Sequence, residues 1–81
     1  MYYLYILRCA DNSLYTGITD NVSRRFKEHQ DKKGGRYTRS HPVRKVVYIE
    51  KFQTKSQALK RESHIKTWRR QKKIELINKT L

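Results

Sequence analysis

Leu14-Tyr15-Thr16-Gly17-Ile18-Thr19-Asp20-Asn21-Val22-Ser23-Arg24-Arg25-Phe26-Lys27-Glu28-His29 is the stretch whose reading decides the fold. Bulky and β-branched residues from Leu14 to Ile18 predict a short strand. Thr19-Asp20-Asn21 then offers side-chain oxygens suited to capping a helix N-terminus. Beyond it, Val22, Arg25, Phe26 and His29 stand at i, i+3, i+4 and i+7, the stripe that an amphipathic helix turns inward. Two of those four positions are polar. An arginine and a histidine where apolar residues belong, beside a strand-end tyrosine, read as a site rather than a core.

Upstream, Tyr2 to Cys9 is aromatic and aliphatic almost throughout, which predicts a central strand buried on both faces. Its period of two puts Tyr3 and Tyr5 on one face and Leu4 and Ile6 on the other. Ala10-Asp11-Asn12-Ser13 is turn chemistry, so the strand folds back as a hairpin and makes Tyr5 and Tyr15 neighbours. Gly17 is expected where the strand bends toward the helix, leaving the main chain open to a ligand.

Downstream, Lys32 to Pro42 begins and ends with breakers, Gly34-Gly35 and His41-Pro42. Arg36, Tyr37 and Arg39 alternate charge with an aromatic, a pattern suited to phosphate contact and base packing, and equally found in ordinary basic loops. Val43 to Phe52 reads as a third strand, with Val47 and Ile49 alternating with Val46, Tyr48 and Glu50. Thr54-Lys55-Ser56-Gln57 fits a capping box and starts a second helix. Ala58, Leu59, Ile65 and Trp68 define its buried arc, and Glu62 falls near the middle of it, a costly place for an unpaired carboxylate. Thr67 is expected to cap a last helix from about Trp68 to Lys79, packed through Ile74, Ile77 and Leu81, with Arg69, Arg70, Lys72 and Lys73 on its basic outer face. The order is β-β-α-β-α-α: an α+β fold with a three-stranded antiparallel sheet flanked by helices, in a single domain spanning 1–81.

Tyr3-Leu4-Tyr5 followed by Tyr15-Thr16-Gly17, with Arg25, His29 and Glu62 in register, resembles the GIY-YIG nuclease signature, in its small single-domain bacterial branch. The resemblance runs from about Tyr2 to Lys73 and includes the Gly-rich Tyr-Thr segment Gly34-Gly35-Arg36-Tyr37-Thr38. Tyr3 stands where the family's first glycine does, and Thr16 where its isoleucine does. The resemblance implies an endonuclease hydrolysing DNA phosphodiester bonds in repair or recombination. It implies Tyr5, Tyr15, Arg25, His29 and Glu62 as catalytic residues, with Glu62 holding Mg²⁺ (or Mn²⁺). One Mg²⁺ commonly takes one or two carboxylates and fills its other positions with water and phosphate oxygens. Arg25 offers a planar fork to phosphate oxygens, and one of the two tyrosines positions or deprotonates the attacking water, with His29 orienting or sharing the proton. Substrate contacts are expected from Gly17, Lys32, Lys33, Arg36, Tyr37 and Arg39.

Composition points the same way. Among 81 residues, twenty Lys+Arg stand against seven Asp+Glu, a formal charge of +13. That is well above the magnitude of about 2–8 that suffices for solubility, so the expected partner is a polyanion; composition does not separate DNA from RNA, and the resemblance implies DNA more than RNA. The lone Cys9 excludes an internal disulfide framework, and its spacing to His29, His41 and His64 matches no usual zinc motif. No run approaches a membrane span, so a cytoplasmic monomer or weak homodimer is expected. Two other readings remain open. One is a non-catalytic module binding DNA or structured RNA, in which Arg25 and Glu62 form a buried structural ion pair; the other is an RNA- or ribosome-associated basic protein.

Overall fold

The structure is a computed structural model and describes residues 1–31 and 40–79. Strands β1 (Tyr2–Cys9), β2 (Leu14–Thr19) and β3 (Val43–Phe52) form one antiparallel sheet in the order β2-β1-β3. Helix α1 (Val22–Gln30) follows β2, and α2 (Lys55–Lys66) and α3 (Arg70–Lys79) follow β3. The expected α+β order is therefore present, with β1 in the centre. Leu4, Tyr5, Ile6, Leu7 and Cys9 are all buried, as a strand covered on both faces requires.

The hairpin joining β1 and β2 is closed by Ser13, whose backbone N–H (3.0 Å) and hydroxyl (2.6 Å) both donate to Asp11 Oδ1. Asn12 takes the left-handed backbone (φ 69°), which asparagine tolerates better than most residues. A 2.7 Å bond from the Ala10 N–H to the Pro42 carbonyl ties this turn to the start of β3.

One face of the sheet carries the core. Leu4 and Ile6 pack there with Tyr48, Ile65 of α2 and Ile77 of α3, ringed by Leu14, Ile18, Val47, Phe52, Trp68 and Leu76. Val47 joins this cluster beside Tyr48 because the β1–β3 register slips between Ile6 and Leu7. A bulge breaks the period of two, so the simple alternation expected along β3 does not hold. Ile49, on the other side, is exposed.

Both capping expectations for the first two helices hold. Asn21 Oδ1 accepts from the Arg24 N–H at 3.0 Å, and Thr54 with Gln57 forms a reciprocal capping box. Two expectations are corrected. Thr67 does not start the last helix but ends α2, its hydroxyl donating to the His64 carbonyl at 2.7 Å; α3 begins at Arg70. Leu59 is 43% exposed rather than part of the buried arc. The half-buried side of α2 is completed by Arg61, which grips Glu50 of β3 through Nε (2.9 Å) and Nη2 (3.2 Å). Glu50 also accepts from the Tyr48 hydroxyl, and burial, then this carboxylate, push the Tyr48 pKa up to about 12. Trp68, between α2 and α3, lies under Arg61 and Lys72, 5.3 and 4.4 Å from its ring centre. Cation–π attraction thus links the two helices.

Candidate active site

The face of the sheet opposite the core carries Tyr5 in β1, with Gly17 directly across from it in β2 and Tyr15 two residues before Gly17. Helix α1 brings His29 onto this group. Its ring centre lies 5.8 Å from that of Tyr5 and 5.1 Å, edge-on, from that of Tyr15, and the two tyrosine rings are 6.3 Å apart. The Tyr5 hydroxyl and His29 Nε2 are 2.9 Å apart, and both residues are 1% exposed.

Gly17 is explained by this packing and not by a bend. It lies inside β2 without a positive φ. A Cβ built on it would sit 2.6 Å from the Tyr5 hydroxyl oxygen, 2.8 Å from Tyr5 Cζ and 3.1 Å from Tyr15 Cε2. The close approach that the glycine permits is by Tyr5, which corrects its expected role of opening the main chain to a ligand.

Arg25, one turn before His29, is half-buried and pairs with Glu28 through Nη1 at 3.1 Å. Burial opposes its charge, yet hydrogen bonds with Glu28 and Tyr5 outweigh that and raise its pKa above the ordinary value. Burial, only partly offset by the hydrogen bond with Arg25, pushes the Tyr5 pKa up to about 12. His29 is shifted the other way, below its ordinary value, by burial and then by the charge of Arg25. A guanidinium can only donate, so the Tyr5 oxygen accepts from Arg25 while it also shares a hydrogen bond with His29 Nε2. With its pKa at about 12, Tyr5 is a protonated tyrosine at neutral pH.

Glu62 sits on the buried stripe of α2, between Ala58 and Ile65. Its side chain is 17% exposed and its carboxylate meets Lys66, one turn on, at 3.3 Å. Its charge reaches Tyr5 and adds to the upward shift there. The buried Arg25–Glu62 pair is absent: Arg25 binds Glu28, and Glu62 binds Lys66. No group of three or more metal-ligating side chains exists among the described residues. One carboxylate is too few for zinc but fits a Mg²⁺ that completes its shell with water and phosphate oxygens. Glu62, with an exposed lysine as its present partner, is the residue that could hold it.

Of the expected site residues, the structure gathers Tyr5, Tyr15, Arg25 and His29 around Gly17, with Glu62 within electrostatic reach. Lys32, Lys33, Arg36, Tyr37 and Arg39 lie outside the described residues. Glu28 was missed, although its spacing of three from Arg25 on a helix is the signal for such a pair. His41 is half-buried 3.9 Å from Asp11, and His64 is exposed.

A family model described as the GIY-YIG catalytic domain matches residues 1–75. A UPF0213 protein of Staphylococcus saprophyticus is 47% identical over 77 residues, covering 95% of this chain and 94% of its own length. A UPF0213 protein of Staphylococcus haemolyticus is 47% identical over 76 residues, covering 94% and 93%. The solution NMR structure of the UPF0213 protein BH0048 from Bacillus halodurans superposes with a TM-score of 0.61 at 42% identity, over 96% of this chain and 84% of that one. No helix among the described residues is long and apolar enough to cross a membrane.

Proposed function

Because the chain belongs to the GIY-YIG catalytic-domain family, we propose that it is a divalent-metal-dependent endonuclease that hydrolyses DNA phosphodiester bonds in repair or recombination. The observation that carries this reading is the grouping of Tyr5, Tyr15, His29 and Arg25 on one face of the sheet, opposite the core. Tyr5 and His29 are buried there with their polar atoms facing each other and Arg25 rather than turned to solvent. The four side chains are what a reaction at phosphorus requires: a proton acceptor for water and a fixed cation for the developing charge.

Tyr15 is the better base of the two tyrosines. Tyr5 is buried, holds its proton to a pKa of about 12 and has its hydroxyl engaged with His29 Nε2. Tyr15 is only half-buried and lies edge-on to the His29 ring. In this reading, water attacks phosphorus, its proton passes to the Tyr15 oxygen, and the P–O bond to the leaving strand breaks with its electron pair going to the leaving oxygen. The guanidinium of Arg25 stabilises charge on the phosphate oxygens. Tyr5 and neutral His29 act as positioning residues that hold Arg25 and Tyr15 in place. Glu62 would hold Mg²⁺ or Mn²⁺, and such an ion supplies Lewis-acid stabilisation of the phosphate oxygens when bound.

The test is nicking of supercoiled plasmid with Mg²⁺ or Mn²⁺, with and without chelator, by the parent chain and Glu62→Gln. The parent should nick only with metal, and the variant should not nick at all. The variant should melt close to the parent, because it loses only a partly exposed i,i+4 pair worth about 0.3–0.5 kcal/mol. A parent that leaves the plasmid intact under every divalent metal, or a variant that nicks at the parental rate, would overturn the reading.

A further inference from the structure

At the hairpin end of the sheet, Arg8 of β1 and Lys45 of β3 stand directly opposite each other. Like charges in cross-strand register repel. The register slips again between Arg8 and Cys9, so that Arg44 has no partner across the ladder. Such a bulge re-aims a side chain. Arg8, Asn12, Arg44 and Lys45 together line a cavity of about 320 Å³, at the small end of the range of ligand pockets.

None of the described lining residues is acidic. The ion pairs among the described residues are Asp20–Arg24, Glu28–Arg25, Asp11–His41, Glu50–Arg61 and Glu62–Lys66, so none of these three cations has an acidic partner there. Asp11, the nearest acid in sequence, is occupied by Ser13 and His41. The Arg8 Nε is buried yet makes no hydrogen bond among the described residues. Buried donors almost always have a partner. The turn itself is held in place by the Ala10–Pro42 bond.

We propose that Arg8, Arg44 and Lys45, with the Asn12 amide, form a phosphate-binding site distinct from the Tyr5–Tyr15–His29 grouping, and that it holds a backbone phosphodiester of the nucleic acid. Two features favour a phosphodiester over a diffuse attraction: a guanidinium donor already desolvated inside the fold, and two further cations converging on the same cavity. Arginine's fixed fork suits phosphate oxygens. The site rests on the nucleic-acid reading above, but not on catalysis.

The test is fluorescence anisotropy of a fluorescein-labelled duplex DNA, in chelator and over a range of salt, so that cleavage plays no part. The double variant Arg44→Gln/Lys45→Gln changes exposed residues only; Lys60→Gln/Lys79→Gln removes the same charge elsewhere. Each phosphate contact contributes roughly 0.9 to the log–log salt slope. The first variant should therefore lower the slope by about two units and weaken binding about 50-fold at 0.1 M salt. The second should change the slope by less than about one unit. In the parent chain, the Arg8 Nε–H NMR signal should shift as DNA is added. Equal losses for the two variants, or an Arg8 signal unmoved at saturation, would overturn the site while leaving nucleic-acid binding intact. No binding by the parent would overturn both readings, and a parent that binds but never nicks would overturn only the nuclease.

Discussion

Replacing Gly17 by alanine should destabilise the fold, against the ordinary preference of a strand. On conformational entropy alone, Gly→Ala at a compatible backbone position gains about 0.4–1 kcal/mol. Here the new methyl would lie 2.6 Å from the Tyr5 hydroxyl oxygen, which must retreat by about 0.8 Å to reach the 3.4 Å of ordinary contact. Tyr5 has nowhere to go, being 1% exposed and bonded to His29. Overpacking of this kind costs about 1–3 kcal/mol, so the midpoints of the two ranges leave a net loss of about 1.3 kcal/mol. In a domain this small that lowers Tm by roughly 5–10 °C. The same displacement should cut cleavage by about 10²-fold, the usual cost of a 1 Å misplacement in an active site. Adding Tyr5→Phe removes the atom at 2.6 Å but leaves Cζ at 2.8 Å. The double variant should thus be more stable than the sum of the singles predicts, with only partial relief. Thermal melts of the four proteins in the cycle measure this. A Gly17→Ala chain that melts at or above the parent would refute the account of why the glycine is there.

The two tyrosines should separate. Tyr5→Phe leaves the buried His29 Nε2 without its hydrogen bond to Tyr5 and should cost about 1–3 kcal/mol, read from urea unfolding, whereas Tyr15→Phe should cost less stability and lower cleavage by about 10²–10⁴-fold; the reverse order would exchange their roles. His29 has its folded pKa depressed below 6.5 by burial and then by Arg25, so the unfolded chain binds its proton first. Its contribution to stability is complete above about pH 6.5 and is lost as pH falls through the folded value. Between pH 7 and 5 the parent's Tm should therefore fall more than that of His29→Gln, and equal slopes would show that His29 is not the titrating group. Thr16 is buried with no hydrogen-bond partner for its hydroxyl among the described residues; Thr16→Val keeps the β-branch and should raise stability by about 1 kcal/mol, and a drop in Tm would mean the hydroxyl is satisfied.

Much of this was legible because it depends on local chemistry. Asn21 and Thr54 cap their helices, and Tyr2–Cys9 reads as a central strand, since each signal lies within a few residues. The inward arginine and histidine of α1 stood out because they break an apolar stripe. Thr67 was misread because threonine's hydroxyl can satisfy either a helix start or, as here, the His64 carbonyl at a helix end. Leu59 was misplaced because the buried side of α2 is shared with Arg61, whose burial is enabled by Glu50, eleven residues away in another element. The bulges that place Val47 in the core and leave Arg44 unpaired depend on cross-strand register, which no local pattern encodes. Gly17 was expected to matter, but for the wrong reason: its neighbour Tyr5 belongs to a different strand.

The strand order β2-β1-β3 has a kinetic consequence. β1 meets β2 across a turn of four residues, but its outer pairing joins Tyr2 to Phe52. The first contact is local and hairpins close in about 1–10 μs; the second must confine a long intervening segment, at an entropic cost that grows with its length. Tyr5, Gly17 and Tyr15 can therefore find their register within one hairpin, although such a hairpin is marginal in isolation. The core face, which needs Tyr48 and Ile65, must wait for β3. Variants that weaken the hairpin should slow folding, while variants confined to β3 and α2 should chiefly hasten unfolding.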